Sequence, residues 1–219
     1  MVIAIDGPAG SGKSTVARRL AERLGFIYID TGAMYRGVAL LVLRAGVAFS
    51  DTAVLEKLAA AARLRFAPGN RLMVGGESGE EDLTDQIRTP EVADASSIVS
   101  TVAGVRREMV EIQRQLGRDS SVVMEGRDIG TVVFPDAEVK VFLNASPEER
   151  ARRRFEQHPD GPALEEVTVQ IRERDARDTE RDVSPLREAP GAVVIDSTGL
   201  SIEQVIEKIE ELTHRGRPS

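Results

Sequence analysis

The 219-residue sequence contains no cysteine, only two histidines and no long apolar run. The lack of cysteine excludes disulfides, thiolate metal sites and cysteine nucleophiles, and it fits a reducing compartment. The longest purely apolar run, residues 38–43, is far too short to span a bilayer. The chain opens on a strand-like stretch with no basic segment before it, which is unlike a signal peptide. We therefore expect a cytoplasmic protein that does not associate with membranes.

Lysine is also scarce. Only four of the 29 cationic residues are lysines, and nine arginines lie between residues 150 and 187. The net charge of −7 argues against nucleic-acid binding through bulk electrostatics. Arginine holds phosphate with a planar, bidentate fork that lysine lacks. We interpret an arginine cluster in an acidic chain as a site for an anionic ligand, the alternative being compositional bias.

Five short apolar segments are predicted to be buried strands. They cover residues 2–5, 26–29, 121–124, 138–143 and 192–195, and helical segments lie between them. This alternation indicates an α/β fold with a five-stranded parallel sheet covered by helices. The first helix is predicted from about Gly12 to Gly25, and a capping box of Ser201 and Gln204 begins the last. The tail from His214 onward is predicted to fray.

Two stretches interrupt the alternation. Between residues 51 and 90, β-like pieces at 64–66 and 72–74 flank a predicted type II turn, which indicates an inserted antiparallel hairpin. A long helix with an apolar stripe from Val102 to Leu116 follows. The second interruption, residues 157–190, contains a highly charged helix. Just before it, Ser146 and Pro147 predict the start of another arginine-rich helix.

Residues 7–14, Gly-Pro-Ala-Gly-Ser-Gly-Lys-Ser, match the phosphate-binding pattern G-x-x-x-x-G-K-[ST]. Glycines let backbone N–H groups turn toward phosphates, and the helix that follows adds its positive end. A strand before the motif and an amphipathic helix after it favour this reading over a simple glycine turn. The residues predicted to bind ATP are Gly7, Pro8, Ala9, Gly10, Ser11, Gly12, Lys13, Ser14 and Thr15. Lys13 is expected to contact the β- and γ-phosphates, and Ser14 to ligate Mg²⁺.

The phosphate loop does not by itself distinguish a kinase from a GTPase switch or an ATP-driven machine. No N-K-x-D guanine-reading motif is present, and the single D-x-x-G lies after the last strand, at residues 196–199. A chain of this length also lacks room for motor machinery, so a kinase is favoured. Two alternatives stay open: a kinase for another acceptor, such as UMP or a metabolite hydroxyl, and a non-enzymatic ATP-binding protein with an RNA partner.

Polar residues follow the second and third predicted strands. Thr31 and Arg36 come after one, and Glu125, Arg127 and Asp128 after the other. Because ligands gather at the carboxyl ends of parallel strands, these side chains are candidates for binding the acceptor. Glu125 stands where many phosphate-loop proteins carry a magnesium-side acid. A solvated arginine and a surface ion pair are the alternatives.

The spacing of Arg174, Arg177, Asp178 and Arg181 predicts that all four lie on one face of a helix. With a phosphate loop in the same chain, we interpret this face as part of a mobile lid that closes over anionic ligands. The competing interpretation is an exposed helix held by salt bridges.

Together these motifs resemble the bacterial cytidylate kinase family over essentially the whole chain. The resemblance rests on I-D-G-P-A-G-S-G-K-S-T, D-T-G-A-M-Y-R, I-R-T-P-E-V, E-G-R-D-I-G-T-V-V-F-P-D-A, R-E-R-D-A-R-D-T-E-R and V-I-D-S-T-G-L-S-I-E-Q-V-I. It implies a nucleoside-monophosphate-kinase fold that transfers the γ-phosphoryl group of ATP to CMP or dCMP. It also implies a phosphate-loop core (residues 1–31, 100–147 and 188–213), a monophosphate-binding region (32–99) and a lid (148–187).

The resemblance further implies a set of CMP-binding residues, namely Thr31, Arg36, Ser97, Arg106, Arg127, Asp128, Arg174, Asp178 and Arg181. Arg36, Arg127 and Arg181 would hold the phosphate of CMP. Ser97, Arg106 and Asp128 would read cytosine, and Arg174 with Asp178 would contact the sugar.

The residues expected to act in catalysis are Lys13, Arg150, Arg154 and Arg181. Two features depart from the family pattern: the turn at residues 75–81 is longer than usual, and Thr31 stands where serine is common. We expect a monomer, because no long exposed apolar stripe is left over.

Overall fold

A computed structural model of the chain describes residues 1–76, 79–157 and 161–215, and it divides into two compact units. The first unit comprises Met1–Tyr28 and Ser120–Ser219, and the second comprises Ile29–Asp119. Within the described ranges, no helix is both long enough and apolar enough to cross a membrane.

The predicted five-stranded parallel sheet is confirmed, with each strand within about two residues of its predicted bounds. The strands are β1 (Val2–Asp6), β2 (Ile27–Asp30), β6 (Val122–Gly126), β7 (Val139–Asn144) and β8 (Val193–Asp196). Their order is β2-β6-β1-β7-β8, so β1 lies at the centre and pairs in parallel with both β6 and β7. All five residues of β1 are buried, as expected for a strand covered on both faces.

Four helices are described in the first unit: α1 (Lys13–Leu24), α6 (Pro147–Gln157), α7 (Leu164–Glu180) and α8 (Ile202–Arg215). The apolar stripes of α1 and α8 pack with the central strands into one core, which includes Leu20, Ile209 and Leu143. This core fixes the start of α1, and with it the phosphate loop, against the sheet.

The predicted capping signals form as expected. Glu149 N–H donates to the Ser146 hydroxyl at 3.2 Å at the start of α6. At the start of α8, Ser201 N–H donates to Gln204 Oε1 at 2.9 Å. The prediction of a frayed tail from His214 was wrong for residues 214–215, because α8 continues to Arg215; the rest of that tail lies outside the described residues.

The second unit is built from α2 (Thr31–Ala45), α3 (Thr52–Ala61), β3 (Leu64–Ala67), β4 (Arg71–Gly76), β5 (Gly79–Asp82), α4 (Pro90–Val99) and α5 (Ala103–Arg118), with a 3-10 turn at Gln86–Arg88. The predicted antiparallel hairpin is confirmed as β3 and β4. Gly69 supplies the positive φ that its turn requires.

The strand β5 was not predicted from the sequence; it pairs antiparallel with β4 through Gly79–Asp82. Its sequence, Gly-Glu-Glu-Asp, has low strand propensity and no apolar alternation, so it carries no strand signal. Part of the long turn expected at residues 75–81 therefore belongs to two paired strands, and residues 77–78 lie outside the described residues. The long helix α5 packs within the second unit, in the same core as α2 and α4.

Candidate active site

The phosphate loop connects β1 to α1, and its backbone requires glycine. Gly7, Gly10 and Gly12 have φ values of 148°, 78° and 92°, which disfavour residues that carry a Cβ. A Cβ on Gly7 would lie 2.0 Å from the Leu143 carbonyl oxygen of β7. Gly12 caps α1 without any side-chain hydrogen bond to the first turn. The first N–H groups of α1 are thus left to bind an anion, which is the arrangement that favours phosphate.

Lys13 lies buried in the loop at the first position of α1. Its ammonium donates to the Pro8 carbonyl at 2.7 Å and to Ser11 Oγ at 3.4 Å. Burial and, to a lesser extent, the charge of Arg127 lower the pKa of Lys13 to about 7, although the charge of Glu125 opposes the change. An anion bound beside this lysine would favour its protonated form.

Two arginines of α6 hold the loop from its other side. Arg150 is buried, and its guanidinium donates to the Ala9 carbonyl at 3.1 Å and to both carboxylate oxygens of Asp175 at 3.0 and 2.7 Å. Arg153 donates to the hydroxyl and the carbonyl of Ser197 at 3.0 and 2.8 Å. The Ser197 hydroxyl in turn donates to the Ser11 carbonyl at 3.2 Å.

Arg150 and Arg154, the two residues of α6 expected in catalysis, therefore differ in environment. The guanidinium of Arg150 is engaged by the loop, by the Ala145 carbonyl and by α7. Arg154 is half-buried, and its guanidinium forms no hydrogen bond or ion pair with another residue in the described part of the chain.

Arg127, which directly follows β6, contacts α7. Its Nε donates to Asp178 Oδ2 of α7 at 2.8 Å, and Arg181 Nη1 lies 4.0 Å from the other oxygen of Asp178. Burial disfavours the charged form of Asp178, but the charges of Arg127 and Arg174 outweigh it and hold its pKa below the ordinary value. Arg127, Asp178 and Arg181 thus form one largely buried cluster of charged groups.

The prediction that Arg181 shares a helical face with Arg174, Arg177 and Asp178 was wrong. The helix α7 ends at Glu180, and Arg181 has an extended backbone with ψ of 140°. Arg181 is nevertheless buried, and its Nε donates to the Ser184 carbonyl at 2.6 Å. The chain turns back at this point, because the Leu186 N–H donates to the Asp178 carbonyl. Helical spacing could not reveal this turn.

Asp128 and Glu125 lie on either side of Arg127 and are both buried. Glu125, the predicted magnesium-side acid, accepts a hydrogen bond from the Tyr28 hydroxyl at 2.7 Å. Asp128 begins a π-helical turn, Ile129–Val133, in which the N–H groups of Val132 and Val133 donate to the Asp128 carbonyl. The Glu125 carboxylate is thus held by Tyr28, and the backbone of Asp128 is held by the turn that follows it.

The remaining predicted CMP-binding residues belong to the second unit. Arg36 lies near the start of α2, where its Nη2 donates to Asp30 at 2.8 Å. Arg106 is buried in α5, lies 5.5 Å from the centre of the Tyr35 ring and donates to the Ser100 carbonyl. Ser97 is buried in α4, and its hydroxyl has no hydrogen-bond partner in the described part of the chain. Thr31, at the start of α2, is also buried.

Three residues around the phosphate loop were missed by the sequence analysis: Asp6, Arg153 and Asp175. The only signal for Asp6 is a charge that ends a fully apolar strand. Arg153 and Asp175 lie within highly charged helices, and the charge pattern around them does not differ from the pattern around exposed residues. Their contacts with the loop and with α6 come from tertiary packing alone.

The fold and this site define a P-loop kinase. The structure of a shikimate kinase from Acinetobacter baumannii in complex with shikimate has the same overall fold, with a TM-score of 0.50 and 16% identity, covering 100% of this chain and 95% of that chain. The model of the cytidylate kinase family matches residues 3–215. A cytidylate kinase from Solibacter usitatus is 53% identical over 214 residues, covering 95% of this chain and 90% of the relative.

A cytidylate kinase from Geobacter sulfurreducens is 48% identical over 215 residues, covering 97% of this chain and 92% of the relative. The chain belongs to the cytidylate kinase family, which is a family of phosphotransferases.

Proposed function

We propose that the chain transfers the γ-phosphoryl group of ATP to CMP or dCMP, giving ADP and CDP or dCDP. The observation that carries the proposal is that one unit contains both a phosphate loop at Gly7–Ser14 and the largely buried cluster of Arg127, Asp178 and Arg181. A kinase for UMP is not favoured, because the relatives named above are cytidylate kinases.

The donor half of the reaction is assigned to the loop. Backbone N–H groups and the start of α1 bind the phosphates of ATP, and Lys13 contacts the β- and γ-phosphates. Magnesium fits this site, since the ion prefers hard oxygen ligands and is held by few protein groups together with substrate phosphates. Ser14 is exposed at the second position of α1 and supplies such an oxygen. When bound, Mg²⁺ offsets negative charge on the β- and γ-phosphates.

The acceptor half is assigned to the predicted CMP set. In the first unit, Arg127 and Arg181 bind the phosphate of CMP, Arg174 and Asp178 contact its sugar, and Asp128 accepts from the cytosine amine. The second unit contributes Arg36 to the phosphate, Ser97 and Arg106 to the base, and Thr31. The Ser97 hydroxyl supports this assignment, because it is buried without a hydrogen-bond partner among the described residues, and such a group in a native protein calls for a ligand or water partner.

The attacking group is already a good nucleophile. The second pKa of a phosphate monoester is about 6, so CMP is largely dianionic at pH 7 and requires no general base. The protein's task is then to bring two polyanions into line and to stabilise charge on the transferred group. Lys13, Arg154 and Arg181 supply positive charge, while Arg150 keeps the loop in place. Closure of the lid, residues 148–187, excludes water and suppresses ATP hydrolysis.

A panel of nucleoside monophosphates tests the proposal. CMP, dCMP, UMP and AMP are each incubated with ATP and Mg²⁺, and ADP release is followed in a coupled assay. Because uracil presents a carbonyl where cytosine presents an amine, CMP should be preferred to UMP by roughly 10²- to 10⁴-fold in kcat/KM. Lys13→Ala should abolish transfer and keep the unfolding transition of the parent. Equal turnover of UMP would refute the role of Asp128 in reading the base.

The same panel separates the alternatives. A regulatory ATP-binding protein would bind ATP with no turnover stimulated by any monophosphate, and a metabolite kinase would phosphorylate none of the four nucleotides. We further propose that the chain acts as a cytoplasmic monomer without a nucleic-acid partner. Light scattering at micromolar concentration tests the monomer.

A further inference from the structure

Asp6 connects the two halves of the site. It is the last residue of β1, directly before Gly7 of the phosphate loop, and it is 3% exposed. Its two carboxylate oxygens accept from two successive backbone N–H groups, Ile129 at 2.9 Å and Gly130 at 2.8 Å. Ile129 and Gly130 directly follow Asp128. One buried side chain beside the donor loop therefore holds the turn that presents the acceptor residues Arg127 and Asp128.

The same turn is fixed from its other side by close packing. A Cβ on Gly130 would lie 3.1 Å from Ala189 Cβ and 3.2 Å from the Lys140 side chain. Phe134 N–H donates to the Ile129 carbonyl at 2.7 Å. Close packing on one side and the hydrogen bonds from Ile129 and Gly130 to Asp6 on the other therefore restrict the backbone that follows Asp128.

An ionised carboxylate at this position is costly for folding. Burial is the main cause that raises the pKa of Asp6 to about 6. The N–H groups of Gly130 and Ile129 and the charge of Lys13 oppose the rise, and the charge of Asp128 contributes to it. At neutral pH the folded chain therefore keeps a charge that its environment disfavours. The ionised carboxylate can accept hydrogen bonds from two backbone N–H groups of the same turn, which a neutral side chain of the same shape cannot do.

We propose that Asp6 is a positioning residue for the monophosphate acceptor: it touches neither nucleotide, and it holds the Arg127–Asp128 turn in register with the phosphate loop. The proposal rests on the function proposed above, in which Asp128 reads the base of CMP. Misplacement of a binding group by about 1 Å costs on the order of 100-fold in rate. Asp6 therefore acts on affinity for CMP and on discrimination against UMP.

The test compares Asp6→Asn with the matched control Glu138→Gln. Asparagine keeps the shape of Asp6, but its amide N–H₂ faces one of the two backbone donors, so one hydrogen bond is lost. Glu138 accepts the Val2 N–H at 2.7 Å at the opposite end of the same strand, away from both nucleotide sites. A second variant, Gly130→Ala, crowds the same turn against Ala189 and Lys140 while leaving Asp6 intact.

For each variant we measure kcat, KM for CMP, KM for ATP and the CMP-to-UMP ratio of kcat/KM. We also measure thermal unfolding and hydrogen exchange at the amides of Ile129 and Gly130. Asp6→Asn and Gly130→Ala should each raise KM for CMP by roughly 10- to 100-fold and lower the CMP-to-UMP ratio. KM for ATP should change less than about threefold, and Glu138→Gln should match the parent in all kinetic values.

Two results would overturn the positioning role and leave Asp6 a structural residue. One is an equal rise of KM for CMP and KM for ATP. The other is unchanged CMP kinetics despite faster hydrogen exchange at the amides of Ile129 and Gly130. If Asp6→Asn does not fold, Gly130→Ala decides by the same criteria. The parent chain is measured in the same panel. Failure of the parent to prefer CMP would refute the proposed function, whereas a CMP-selective parent with unaffected variants would refute only the role of Asp6.

Discussion

Protonation of Lys13 should be coupled to ATP binding. In the protein without nucleotide, burial lowers the pKa of this lysine from 10.5 to about 7. The phosphates of bound ATP would lie beside the ammonium and favour its charged form, so the pKa rises on binding. Above pH 7 the free protein therefore carries a largely neutral lysine and the complex a charged one. Binding must then take up a proton, and affinity for ATP must fall as the pH rises.

The magnitude follows from the pKa. At pH 8.5 a lysine with a pKa near 7 is roughly 97% neutral, so ATP binding should take up close to one proton. Protonation at that pH costs about 2 kcal/mol, and affinity should fall roughly 16-fold between pH 7 and pH 8.5. The dissociating groups of ATP and CMP titrate below this window, since the second pKa of phosphate is about 6.

Isothermal titration of ATP at pH 8.5 in two buffers with different ionisation enthalpies measures this uptake directly. Lys13→Arg is the matched control, because a guanidinium stays protonated throughout the window. That variant should take up no proton, and its affinity should be flat between pH 7 and pH 8.5. ATP binding to the parent with an uptake near zero at pH 8.5 would refute the reasoning, as would an equal pH slope in the arginine variant.

Two further predictions concern contacts that hold the fold around the site. Asp175→Asn weakens the bidentate pair with Arg150, whose guanidinium also donates to the Ala9 carbonyl of the phosphate loop. We therefore expect kcat/KM for ATP at saturating CMP to fall roughly 10-fold. An unchanged kcat/KM would contradict a link between Asp175 and the loop. A Cβ on Gly104 would lie 2.0 Å from the carboxylate carbon of Glu56, which accepts the Gly104 N–H at 2.9 Å. The change in the free energy of unfolding in urea on Gly104→Ala should therefore be about 1 kcal/mol less favourable in the parent than in a Glu56→Ala background, where no carboxylate has to move.

Local patterns in the sequence were sufficient for the central sheet and for the donor loop. Strand formation in a sheet covered on both faces depends on short apolar runs such as Val2–Ile5, and these can be read directly. The loop at Gly7–Ser14 depends on glycines whose positive φ values are a local property of the chain. Capping at Ser146 and Ser201 is equally local, since the donor and the acceptor are three residues apart.

Patterns of this kind failed where a contact joins distant residues. The β5 strand has little propensity of its own and forms because it pairs with β4. Helical spacing placed Arg181 on α7, but the chain leaves the helix at that residue and turns back toward Asp178. A spacing rule assumes that the helix continues, and it contains no information about where the helix ends.

The sequence by itself thus determined that the chain carries a phosphate loop, a five-stranded parallel sheet and two arginine-rich helices, α6 and α7, because each depends on residues that are close in the sequence. Only the tertiary structure decided how the charges around the site are paired. Arg127 meets Asp178 across 51 positions, and Asp6 meets Ile129 across 123. Hydrogen bonds and burial at such separations arise from packing, and packing also lowers the pKa of Lys13 and raises that of Asp6.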